Sequence, residues 1–110
     1  MVSDPPQSFR LALDQLHEIV TKEVGSDDFG PRDYLPGLKV LLQSMDYDTR
    51  FSAMGRRLAW GLVIDGLRGR AQAVLSMKEH PDFEKHPISS PVVITGVPRT
   101  GTTALHRLMA

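Results

Sequence analysis

The chain has 110 residues, 41% of them hydrophobic and 24% charged, which is typical of one small globular domain and excludes a disordered or fibrous chain. Its 13 basic and 13 acidic residues cancel, so the overall charge predicts no binding to nucleic acid or to an anionic membrane. No apolar run reaches the roughly 18 to 20 residues that a membrane span needs, and the first residues lack the pattern of a signal peptide. The absence of cysteine excludes disulfides and thiolate metal sites, and we expect a cytoplasmic protein.

The first predicted helix covers residues 7–24. Apolar residues recur there at spacings of four, three and four, which places them on one helical face: Phe9, Leu13, Leu16 and Val20. The prolines at positions 5 and 6 suit a helix start, where a missing amide hydrogen is tolerated. Gly25 suits the end, because glycine accepts the left-handed conformation that often follows a last helical turn.

Two further helices are predicted before residue 80. The second is predicted to start between Pro31 and Pro36, and because proline inside a helix removes a hydrogen bond, we expect a short turn at residues 31–34. The main helix then runs from Leu35 or Pro36 to about Met45. The third helix covers residues 52–79. Its apolar positions share one face: Trp60, Ile64, Leu67, Ala71 and Val74. The arginines beside this face are interpreted as side chains whose charged heads stay in water.

The character of the sequence changes after residue 80. Residues 92–95, VVIT, are four consecutive β-branched residues and predict a short strand buried on both faces, as in parallel sheets. A glycine loop at residues 96–103 follows, and residues 102–110 begin a helix. The predicted fold is therefore a mostly α region of about three helices, residues 1–88, followed by the first strand, P-loop and helix of an α/β domain, residues 89–110.

The glycine loop carries the candidate chemistry. Gly96 and Gly101 have the spacing of the P-loop pattern G-x-x-x-x-G-K-[ST]. Thr103 occupies the final hydroxyl position of that pattern, but Thr102 stands where the lysine belongs. At a strand-to-helix turn, free amide groups and the helix dipole attract a phosphate or a sulfate. Arg99 adds a permanent positive charge, so the loop predicts a local anion site.

Residues 97–103, VPRTGTT, resemble the 5′-phosphosulfate-binding loop of sulfotransferases. The usual form of that loop is Pro-Lys/Arg-Ser/Thr-Gly-Thr-Thr, at the end of the first strand of a P-loop-like α/β fold. The similarity extends through residues 104–110, ALHRLMA. Upstream, residues 27–30, DDFG, and the helix that contains Gly37 and Leu38 are similar to the helical N-terminal region of bacterial sulfotransferase-like proteins.

This resemblance implies the donor 3′-phosphoadenosine 5′-phosphosulfate (PAPS) and transfer of its sulfuryl group to a hydroxyl or amine of a small-molecule acceptor. It assigns the cradle for the 5′-phosphate and sulfate to five residues: Arg99, Thr100, Gly101, Thr102 and Thr103. Many members carry lysine at the position of Arg99. Because arginine keeps its proton at neutral pH, Arg99 is the catalytic candidate that stabilises the leaving phosphate by charge and forked hydrogen bonds. No metal is implied, since PAPS lacks the polyphosphate that magnesium bridges in kinases.

Two other classes of function stay open. A P-loop nucleotide kinase-like phosphotransferase fits the glycine spacing but lacks the lysine that reaches the β and γ phosphates. A non-enzymatic helical interaction module would use residues 7–80 to pair with another chain, or to self-associate through exposed apolar helix faces. In sulfotransferases the remaining site residues lie downstream of the loop, so the resemblance also predicts that the chain is truncated and incomplete as an enzyme.

Three histidines and one acidic pair are interpreted without a catalytic role. His17, His80 and His86 have no carboxylate partner at a recognisable spacing and are predicted to lie at the surface. Asp27 and Asp28 are predicted to be turn or helix-capping residues, because no histidine or third carboxylate is placed to complete a metal site with them.

Overall fold

The computed structural model of the chain describes residues 3–47 and 50–110. Four α-helices follow one another: α1 Leu13–Val24, α2 Leu35–Tyr47, α3 Ala53–Glu79 and α4 Thr102–Met109. Two short 3₁₀ segments lie at Arg32–Tyr34 and Pro81–Lys85. Across the described ranges, no helix is both long and apolar enough to cross a membrane.

Helix α1 begins at Leu13, so the start predicted at residue 7 is wrong. The residues before it form a turn in which the amide of Ala12 donates to the carbonyl of Phe9 at 3.0 Å. The Asp46 carboxylate of α2 holds this turn, since it accepts hydrogen bonds from the Ser8 hydroxyl at 2.8 Å and from the Phe9 amide at 3.1 Å. A residue distant in the sequence therefore stabilises the turn that replaces the first predicted helical residues.

Asp46 is expected to make the stability of the fold depend on pH. Burial disfavours the charged carboxylate, but hydrogen bonds from residues 8–10 and the charge of Arg56 outweigh it, so the pKa of Asp46 lies below its ordinary value of 3.8. Such a group stabilises the fold above its unfolded pKa, and the contribution is lost as the pH falls through the lower folded pKa. We expect Asp46→Asn to be less stable at neutral pH and to lose less stability than the parent chain on acidification from about pH 5 to pH 2.

Urea denaturation followed by circular dichroism at each pH measures this difference. Asp27→Asn is the matched control, because Asp27 is exposed and this substitution should leave the pH profile of the parent chain in place. Parallel pH profiles for the parent chain and Asp46→Asn would contradict the role given to Asp46.

The predictions for the second and third helices are confirmed. A 3₁₀ turn precedes α2, which starts at Leu35, so Pro36 lies in the first helical turn, where its missing amide leaves no bond unmade. Ser52 caps α3, because its hydroxyl oxygen accepts from the Gly55 amide at 3.1 Å. The predicted end of α1 is also confirmed, since Gly25 follows it with a φ of 76°.

Helices α1, α2 and α3 surround one hydrophobic core. Its buried residues come from these helices and the segments that flank them: Phe9, Ala12, Leu16, Val20, Phe29, Leu42, Met45, Trp60, Ile64, Leu67 and Ala71. Trp60 has no exposed surface, and its ring lies 6.0 Å from that of Phe9 between centroids. No residue of α4 is buried, so the candidate loop and its helix lie outside this core.

Arg70 of α3 holds the loop before α2 against this helix. Its guanidinium donates to the carbonyls of Phe29 and Pro31, both at 2.7 Å. It also pairs with Asp33 at 2.8 Å and lies 4.5 Å from the centre of the Tyr34 ring. The interpretation of the arginine heads beside the third helix as solvent-facing is therefore wrong for Arg70, because hydrogen bonds to main-chain carbonyls hold this head against the protein.

Candidate functional site

Residues 92–95 do not form the predicted strand. Nowhere in residues 3–47 and 50–110 is there a strand or sheet, and Val92 and Val93 are 72% and 80% exposed. A strand depends on hydrogen bonds to a neighbouring strand, and no such neighbour lies beside this segment in the part of the chain that the structure describes. The α/β unit predicted for residues 89–110 is thus wrong, although its helix is present as α4.

A tight turn forms the first half of the glycine loop. Pro98 and Arg99 occupy the centre of this turn, and the Thr100 hydroxyl donates to the carbonyl of Val97 at 2.6 Å. Arg99 has a φ of 69°, a left-handed conformation that is uncommon for a residue with a side chain. The turn therefore holds the arginine in a backbone conformation that glycine would adopt at lower cost.

The second feature of the loop is that it folds back onto Gly96. A Cβ atom at Gly96 would lie 2.9 Å from the Thr100 hydroxyl oxygen and 3.2 Å from the methyl carbon of Thr102. At these distances an added side chain would force Thr100 or Thr102 to move, so glycine fits here without rearrangement of the loop. The structure therefore brings Gly96 close to the side chains of Thr100 and Thr102.

The loop leads directly into the N-terminus of α4. Gly101 precedes this helix with a φ of 88°, and its carbonyl accepts from the Leu105 amide at 3.0 Å. The amides of Thr102, Thr103 and the following residue belong to the first turn, where helix geometry offers them no acceptor. No side chain caps this end, and its first turn holds no acidic residue. These amides are donors suited to an anion.

The charge around the loop is positive, although the whole chain is neutral. Residues 86–110 contain Arg99 and Arg107 and no aspartate or glutamate. Arg99 is exposed, and within residues 3–47 and 50–110 it takes part in none of the ion pairs. The guanidinium is thus available to a ligand, and the helix dipole of α4 adds to its attraction for negative charge.

Sequence reasoning missed a second polar cluster, around His17. This ring was predicted to lie at the surface, but it is half-buried, 4.9 Å from the Phe29 ring between centroids. Its Nδ1 lies 2.7 Å from the carbonyl of Leu13 and its Nε2 lies 2.8 Å from the Tyr34 hydroxyl. A neutral ring satisfies both contacts when Nδ1 donates to the carbonyl and Nε2 accepts from the tyrosine. Position 17 lies next to the apolar stripe of α1, and this placement is the sequence signal that could have indicated partial burial of the ring.

The cluster lines a cleft of about 800 Å³ between α1 and the loop that follows it. Burial raises the pKa of Tyr34 above its ordinary value, against the opposing charge of Arg70, so its hydroxyl keeps its proton at neutral pH. Asp28 forms a turn by accepting from the Gly30 amide at 2.8 Å, and Lys78 pairs with it. The prediction of a turn role for Asp28 is confirmed, and no group of three potential metal-binding side chains occurs in the described residues.

Comparison of the chain with protein-family models, with curated proteins and with solved structures finds no match. The similarity to the sulfotransferase loop therefore depends on the residues of the loop themselves.

Proposed function

We propose that residues 96–103 bind the 5′-phosphosulfate group of PAPS and that the chain is a sulfotransferase-family protein. The observation that carries this proposal is the compact loop at an uncapped helix N-terminus, inside a segment that has two arginines and no acidic residue. A phosphate or a sulfate gains hydrogen bonds and favourable charge there, and residues 86–110 contain no aspartate or glutamate to oppose it.

The geometry supports different roles for the candidate residues. The hydroxyl proton of Thr100 is engaged by the carbonyl of Val97, so this threonine shapes the loop. Thr102 and Thr103 supply amides and hydroxyls at the first turn of α4, and they are the donors we assign to the anion. Gly101 allows the left-handed step from the loop into the helix.

Arg99 is assigned to the leaving group. As a sulfuryl group moves to a hydroxyl or amine acceptor, negative charge grows on the bridging oxygen that stays with the 5′-phosphate. A fixed guanidinium close to that oxygen stabilises the charge without giving up a proton. Sulfuryl transfer from PAPS needs prearranged hydrogen-bond donors and no bridging metal ion. The proposal therefore assigns no magnesium ligands.

Binding selectivity tests the proposal. The 110-residue chain is titrated with 3′-phosphoadenosine 5′-phosphate, the product left after sulfuryl transfer, and separately with ATP and magnesium, while nuclear magnetic resonance follows the backbone amides. We expect the bisphosphate to bind more tightly and the largest shifts to fall on the amides of residues 99–104. Tighter binding of ATP with magnesium would favour the kinase-like alternative, and shifts confined to residues outside the loop would remove the site.

A helical interaction module is the second candidate, because α3 exposes an apolar line. Met54 and Leu58 are each 63% exposed and Leu62 is 73% exposed, at a spacing that places all three on one side of the helix. We propose that the chain self-associates through this line, and sedimentation measures the resulting oligomeric state. Leu58→Glu should make the chain a monomer. A cytoplasmic location is likewise a proposal, based on the cysteine-free composition.

A further inference from the structure

We draw no further inference here: the strongest candidate, the cleft between α1 and the loop that follows it, is lined by side chains of both positive and negative charge around the His17–Tyr34 hydrogen bond, and nothing in the structure shows which ligand would fill it.

Discussion

Replacing Trp60 by alanine is expected to lower the free energy of unfolding by about 3 to 5 kcal/mol. Trp60 is completely buried, and its ring packs against Phe9 from the turn that precedes α1. Alanine would leave a cavity where α3 meets this turn, and a domain of this size has only about 5 to 15 kcal/mol of stability in total. Urea denaturation followed by circular dichroism measures the change.

Trp60→Phe is the matched control for this prediction. The indole Nε1 of Trp60 is buried and has no hydrogen-bond partner among the described residues, so the native side chain carries an unsatisfied donor. Phenylalanine removes that donor and keeps most of the aromatic surface, so the loss of stability should be well below that of alanine. Equal losses for the two variants would mean that the volume of the ring does not support the core.

Removing the charge of Arg99 is expected to weaken binding of 3′-phosphoadenosine 5′-phosphate by about tenfold or more, since hydrogen bonds to charged groups are the strong ones. Arg99→Gly is the preferred variant, because a φ of 69° strains any residue with a Cβ atom and glycine relieves that strain. The affinity of Arg99→Lys should lie between those of the parent chain and Arg99→Gly, since lysine keeps the charge but loses the planar fork of donors. The same titration by nuclear magnetic resonance measures all three chains.

Arg107→Ala is the control for the Arg99 variants. It removes the same charge from the same acid-free segment, but at a position further along α4 and away from the loop. We expect a much smaller loss of affinity than for Arg99→Gly. Circular dichroism of both variants should match the parent chain, because both arginines are exposed. Equal losses would reduce the role of Arg99 to a general contribution of charge.

Much of the helical part follows from patterns that are local in the sequence. The apolar stripe of the third predicted helix contains Trp60, Ile64 and Leu67, and all three are buried. The predictions of a turn before α2 and of a helix end at the glycine after α1 are also confirmed, because proline and glycine act through the backbone of their own residue. The candidate loop was identified in the same way, from the spacing of Gly96 and Gly101.

The errors concern features that depend on distant residues. The turn before α1 is held by Asp46, which accepts hydrogen bonds from residues 8–10 across more than thirty positions of sequence. Arg70 was interpreted as solvated, although its partners lie at residues 29–33. The strand predicted at residues 92–95 has the right composition, but a ladder of hydrogen bonds needs a second segment, which composition does not supply.

The helical stripes, the helix end at Gly25 and the loop of glycines and threonines with its arginine can be predicted from local patterns, because each depends on residues a few positions apart. The contact of Gly96 with Thr100 and Thr102, and the hydrogen bond between His17 and Tyr34, become visible only in the folded chain. Those features arise where segments far apart in the chain, or the two sides of a folded loop, meet in space. Their geometry depends on packing, which a local pattern of residue types does not specify.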